Sequence, residues 1–268
     1  MLLCTFLVWA FESSAAQEMR IVTLSPHLTE MVYTLGKGDS LVGVSEYSDF
    51  PESASALPRI ASYQGANISE IIRLRPTHIL IWKGGNKASD ILKLSRYSET
   101  NAAEVYISNV DGVDSLLDEI LSLGEFLGTS SISLSLVKQL QEKISEQKNE
   151  NLPMTDVYYY MGISPLYGLG NDPWLNSLLN ICNIHNKNKN AAAAYMALDK
   201  AHILRKPPEA FITSDGVSLE QHEAFWQAHR GFLHAPIFTV NPDAMHRFTP
   251  RAIYETIKLC GKLRTIEK

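Results

Sequence analysis

TSSISLSLVKQLQEKISEQK, residues 129–148, contains neither glycine nor proline, and Ile132, Leu136, Leu140 and Ile144 recur in it at spacings of four. With a hydroxyl cap available from Thr129 or Ser130, the stretch reads as one helix, about 30 Å long at 1.5 Å per residue. On its N-terminal side, residues 20–25 (RIVTLS) read as a β-branched strand stopped by Pro26, 27–35 as a helix closed by Gly36, and 41–44 as a short strand. A helix at 68–74, the unbroken apolar strand HILIW at 78–82, and helices at 90–97 and 113–127 around a strand at 104–107 complete that side. Beyond the polar residues 149–153 the pattern restarts, with strands at 155–161, 210–214 and 237–240 and helices at 174–183, 201–205 and 250–263. Apolar strands alternating with helices mark a parallel sheet covered on both faces. The expected architecture is α/β, with two lobes (17–128 and 149–268) joined by a single long helix (129–148). One continuous α/β domain is the alternative.

The 268 residues carry 24 Lys and Arg against 29 Asp and Glu, a formal charge of −5, and 45% are hydrophobic. That excludes a disordered chain, and the lack of a basic run argues against a nucleic-acid partner, which needs clustered cations to displace phosphate counterions. Residues 2–11 (LLCTFLVWAF) are apolar but would span only about 15 Å as a helix, half of a bilayer core. Followed by the small residues Ser13 to Ala16, they read as a signal peptide, residues 1–16, although no Lys or Arg precedes them. A buried N-terminal strand is the other reading. Loss of Cys4 with that segment leaves Cys182 and Cys260, which in an exported protein form either a bridge or two small apolar side chains in a core.

Ligands of parallel α/β sheets collect at the carboxyl ends of the strands. Aromatics dominate the positions just past the expected strands: Tyr47, Trp82 with Lys83-Gly84-Gly85-Asn86 behind it, and Tyr167. Tyr63 and Tyr195 fall in intervening loops. Such a set suits a flat, largely apolar ligand, although each aromatic taken singly is also a core candidate. After the strand at 237–240, Asp243 and Arg247 lie four apart, as a surface ion pair or as an Asp-oriented guanidinium aimed into a cleft. Phosphate-loop, HExxH and GxSxG patterns are all missing, and the eight histidines show no metal-ligand spacing, so catalysis has no visible machinery. His222 and His229, seven apart, read as solvated.

The blocks RIVTLSPHLTEMVYTLG, VGVSEYSDFP, ASYQGANISEIIRLRPTHILIWKGGN, YMGISPLYGLG, NSLLNIC, NPDAMHRFTPR and IKLCGKL occur in an order that resembles the periplasmic vitamin B12-binding proteins of ABC importers, the BtuF type. The resemblance covers essentially the whole chain after the signal. It implies a class III periplasmic binding protein of the helical-backbone, metal-receptor type, with a corrin held between the lobes. Matching motif by motif, Tyr47, Tyr63, Trp82, Tyr167 and Tyr195 become aromatic contacts, and Asp243 and Arg247 a polar pair for corrin amides. Cys182 and Cys260 match the family's disulfide.

Relatives carry Trp at the positions of Tyr63 and Tyr195 and Phe at that of Tyr167, so stacking area shrinks at two places. The surface glutamates by which relatives dock on the permease are replaced by Ser69, beside Glu70, and by Ala201, near Asp199. Either Glu70 and Asp199 serve as the docking charges or the cognate permease differs. The resemblance further implies a periplasmic, non-catalytic carrier with cobalamin as cargo and no cofactor, working as a monomer with an inner-membrane ABC permease and its ATPase. A helix between the lobes implies modest closure. The rival within the same fold is a binder of haem, with His246 or Tyr167 as iron ligand, or of an iron-siderophore chelate. A periplasmic hydrolase and an orphan interaction module are the remaining readings.

Overall fold

Ile21 to Thr23 form a fully buried strand, and the sheet grows outward from it on both sides. The computed structural model describes residues 18–149 and 153–264; the expected signal peptide lies outside them. In chain order the first lobe contains β1 (Ile21–Thr23), α1 (Pro26–Thr34), β2 (Leu41–Ser45), β3 (Arg59–Ser62), β4 (Gly65–Ala66), α2 (Ile68–Arg73), β5 (His78–Trp82), α3 (Ala88–Asn101), β6 (Glu104–Ser108) and α4 (Val113–Phe126). Its sheet has the order β4-β3-β2-β1-β5-β6, parallel except for the β3–β4 pair. Alternate side chains serve opposite faces, as the unbroken apolar strands require. Ile21 and Leu80 pack with α1 and α4, whereas Val22, Ile79 and Ile81 pack with Ile71 of α2 and Leu94 of α3.

The long helix is α5 (Ser130–Asn149). After it come β7 (Thr155–Ile163), β8 (Leu166–Leu169), α6 (Pro173–Ile181), β9 (Ile184–Asn186), β10 (Tyr195–Ala197), α7 (Lys200–Arg205), β11 (Ala210–Thr213), α8 (Leu219–Trp226), β12 (Ile237–Thr239), α9 (Pro242–Met245) and α10 (Pro250–Leu263). The second sheet runs β10-β8-β7-β11-β12, with β9 beside the start of β7. β7, β11 and β12 are parallel, whereas β8 and β10 are antiparallel additions. Tyr195 therefore stands on strand β10, not in a loop as expected, and Tyr167, expected just past the strand at 155–161, stands on a strand of its own, β8. These strands escaped the sequence reading because each is only three or four residues long.

α5 packs against α4 of the first lobe and against α6 and α10 of the second. Its buried face is Ser133, Val137, Leu140, Ile144 and Gln147, spaced alternately four and three, while Ile132 is 44% exposed. A row of strict four-residue steps drifts about 40° per step around a helix, so the expected stripe could not stay on one side. At the crossing with α4, a Cβ on Gly124 would meet Ser133 Oγ at 2.2 Å, so only glycine admits this approach. One buried cluster runs from Ile21 through α4, α5, α6 and α10 to Leu263, so the two lobes share a continuous apolar base. Cys182, capping α6, and Cys260 of α10 form a disulfide with Cα atoms 5.2 Å apart.

Candidate functional site

Because β3, β2, β1 and β5 are parallel neighbours, their carboxyl ends share one edge. Tyr63, Tyr47 and Trp82 follow β3, β2 and β5 respectively or end them, so all three lie along that edge, spread over about 14 Å at 4.8 Å per strand. In the second lobe Tyr167 lies on β8 alongside the last residues of β7, between the Tyr160–Gly168 and Ile163–Leu166 pairs, and Asp243 and Arg247 follow β12. Arg247 joins the two edges. Its Nη2 donates to the carbonyl of Tyr47 at 3.2 Å and to Asp49 Oδ1 at 2.7 Å.

Each side chain is placed by local chemistry. Tyr47 adopts the left-handed conformation, φ 62°, which turns the chain sharply after β2 and leaves the ring 72% exposed. Hydroxyls brace the turn from below: Thr29 Oγ1 donates to Ser48 Oγ, which also lies 3.0 Å from Ser45 Oγ, and Arg59 Nη1 donates to the Ser48 carbonyl. Trp82 is half-buried. Its backbone N–H donates to Asn86 Oδ1 at 2.8 Å, while Asn86 Nδ2 donates to the Leu24 carbonyl, pinning the loop to β1. Gly85 lies against the indole, where an added Cβ would come within 2.1 Å of the ring. The indole meets His27 and Phe248 edge-on, at centroid distances of 5.3 and 5.5 Å. Burial, with the Arg247 charge adding, lowers the His27 pKa to about 3, so the imidazole is neutral.

On the second lobe Tyr195 Oη donates to Asp172 Oδ2 at 2.9 Å, and Asp172 Oδ1 caps α6 by accepting from the Leu175 N–H. Burial and the Asp172 charge raise the Tyr195 pKa, so this phenol stays protonated. Tyr167, on the neighbouring strand opposite Ala197 and two register positions from Tyr195, is 41% exposed. Asp243 is 65% exposed and 3.6 Å from Arg247, beyond hydrogen-bond reach. The pair is thus real but loose, and the guanidinium turns toward the first lobe.

Comparison with known proteins bears on this arrangement. The family model described as periplasmic binding protein matches residues 21–232. The chain belongs to that family. A vitamin B12-binding protein of Vibrio vulnificus is 28% identical over 268 residues, covering 98% of this chain and 96% of the relative. The crystal structure of the periplasmic vitamin B12-binding protein BtuF of Vibrio cholerae superposes with a TM-score of 0.79 at 26% identity, over 93% of this chain and 98% of that one. The periplasmic heme-binding protein HutB of Vibrio cholerae shares the fold, with a TM-score of 0.77 at 20% identity over 92% and 99% of the two chains.

Within this periplasmic binding fold, the residues that sequence reasoning missed are those that tie the lobes. Glu30, 2% exposed on α1, accepts from Thr249 Oγ1 and from Arg251 Nε and Nη2, all at 2.8 Å. Phe248 fills the space between Trp82, His27 and Trp174. The available signal was a lone acid on a helix with no other charge. Arg251 also stands over the Phe50 ring at 3.9 Å. His246 Nε2 is engaged with Ser214 Oγ at 2.8 Å. His222 is not solvated: it is fully buried, with Nε2 3.0 Å from Asp215 Oδ1 and Nδ1 3.1 Å from Tyr160 Oη. Among the described residues no His, Cys, Asp or Glu group is arranged to hold a metal ion.

Proposed function

We propose that this protein captures cobalamin in the periplasm between its two lobes and delivers it to an ABC permease, without chemistry on the ligand. The observation that carries the reading is the set of aromatic side chains along two facing sheet edges, Tyr47, Tyr63 and Trp82 on one and Tyr167 and Tyr195 on the other. The full-length likeness to vitamin B12-binding proteins supports it. The aromatic faces supply van der Waals area for a corrin, and Asp243 and Arg247 supply polar contacts for its amide side chains. Residues 17–128 and 149–268 serve as the two lobes and 129–148 as the joint. Since a 20-residue helix and a shared apolar base connect them, closure is small.

Calorimetric titration with cyanocobalamin tests the reading. One site with submillimolar or tighter affinity is the expected result, and a flat titration would reject it. Adding hemin separates the haem alternative, since a Soret shift with no corrinoid affinity would favour that cargo.

For docking we propose Glu70 on α2 and Asp199 before α7. Both carry local duties: Glu70 pairs with Arg73, and Asp199 caps α7 through the N–H groups of Ala201 and His202. Permease arginines would have to compete with Arg73 and with Arg205, 3.7 Å from Asp199. Unchanged cobalamin import by the Glu70→Ala, Asp199→Ala double variant would exclude this pair.

A further inference from the structure

Two ties of opposite character cross the cleft from residues 247–251. At Glu30 the tie is sealed: the side chain is 3% exposed, Arg251 binds it through two nitrogens, and the buried Thr249 hydroxyl adds a third donor. At Asp49 the tie is open to water. That side chain is 54% exposed and receives one hydrogen bond, from Arg247 Nη2. Bidentate, desolvated pairs hold firmly, whereas an exposed single contact is readily exchanged for another acceptor. Arg247 stands between the two. Its Nη1 is buried with no hydrogen-bond acceptor, 3.7 Å from Glu30 Oε2, so one end of the guanidinium leans on the sealed tie while the other holds the open one.

We propose that Asp49 is a gating residue, which competes with the amide oxygens of an arriving corrinoid for the Arg247 guanidinium while the Glu30–Arg251–Thr249 tie stays closed. The inference rests on the cobalamin reading above and adds a residue which that reading does not use. Its chemical basis is that a carboxylate is a stronger acceptor for a guanidinium than a neutral amide oxygen. Arg247 therefore gains nothing by changing partners until the rest of the ligand is seated, and the carboxylate at position 49 slows and weakens capture. The gate also explains how a mostly buried cation, 10% exposed, can serve a ligand, since exchange of Asp49 alone frees one N–H of Nη2 toward the cleft while the other stays on the Tyr47 carbonyl.

The test uses Asp49→Asn and Asp49→Ala, each alone and combined with Arg247→Gln or Arg247→Lys, with cyanocobalamin as the probe. Calorimetry gives Kd, and stopped-flow tryptophan fluorescence gives the association rate. In the otherwise natural chain, removing the carboxylate should tighten Kd about three- to ten-fold, mainly by faster association. In the Arg247→Gln background the same change should move Kd less than about two-fold. Weakened or unchanged binding by both Asp49 variants overturns the gate, because it makes Asp49 a ligand contact or a bystander. Equal tightening in the Arg247→Gln background also overturns it, because the effect then bypasses the guanidinium.

A second arm needs no corrinoid. Hydrogen exchange read by mass spectrometry should accelerate in peptides covering 46–50 and 243–249 of Asp49→Asn and stay unchanged over 26–34, where Glu30 sits. Unchanged exchange at 46–50 overturns the tie itself. A natural chain indifferent to cyanocobalamin but with exchange responding at 46–50 defeats the cobalamin reading and leaves the tie standing, so the two failures are told apart.

Discussion

Replacing Glu30 by Gln should cost the protein about 3 kcal/mol of stability. The substitution keeps the shape of the side chain, so no void opens and the loss is electrostatic. In the natural chain the carboxylate accepts three hydrogen bonds at 2.8 Å from two residues of the other lobe. Glutamine retains one acceptor and turns an amide N–H₂ toward a guanidinium, donor against donor. Removing one partner of a buried ion pair costs about 3–5 kcal/mol because the other charge is left uncompensated. Arg251 is 26% exposed, so water recovers part of that, which places the estimate at the lower end.

For a domain of this size, about 3 kcal/mol corresponds to a Tm lower by roughly 6–12 °C. Circular dichroism during heating and urea titration measure the two quantities independently. A double variant, Glu30→Leu with Arg251→Met, removes both charges and should recover most of the loss, since apolar replacement of a buried pair is often neutral. A Glu30→Gln protein within about 2 °C of the natural one would refute the reasoning, because the carboxylate would then contribute no more than a surface contact.

Changing Cys182 and Cys260 together to Ser opens a loop between residues 78 apart and should cost about 4 kcal/mol in urea unfolding. The His27 imidazole, held down at about 3 by burial and then by Arg247, refuses the proton that the unfolded chain accepts below about pH 6.5. Stability present above pH 6.5 is therefore lost on acidification at about 1.4 kcal/mol per pH unit, so urea titrations at pH 7.5 and 5.0 should differ by about 2 kcal/mol more for the natural chain than for His27→Gln. Trp82→Ala should weaken cyanocobalamin binding at least about ten-fold by calorimetry. Trp226→Phe should leave binding within about two-fold, because Trp226 is fully buried against Phe211, in the core of the second lobe.

The parts of the fold legible in the sequence are those specified locally. HILIW is an apolar run with β-branched residues and became β5 at its stated bounds, and PRAIYETIKLCGKL carries a proline at its first turn and became α10. Short antiparallel strands such as β3–β4 and β8–β10 were not legible, since two to four residues contain too few periods to reveal an alternation. The α5 stripe was half legible. Leu140 and Ile144 lie on the buried face, but Ser133 and Gln147 complete it, and polar residues on a helix–helix contact give no apolar signal.

The site divides along the same line, and the reason is sequence separation. Tyr47 and Trp82 were legible because one directly follows and the other ends a strand that the sequence marks, so topology carried them to a common edge once the strands proved parallel. The contacts that turn two edges into one cleft join Arg247 to Asp49, 198 residues apart, and Arg251 to Glu30, 221 apart. Nothing local marks such partners, and either charge alone reads as a solvated surface group. Burial separates them: among acids at the cleft, Glu30 is sealed at 3% exposure while Asp49 and Asp243 remain more than half exposed. Desolvation fixes the first as structure and leaves the other two free to exchange partners, so the cleft is built on a charge pair that stays closed and lined by charges that can open.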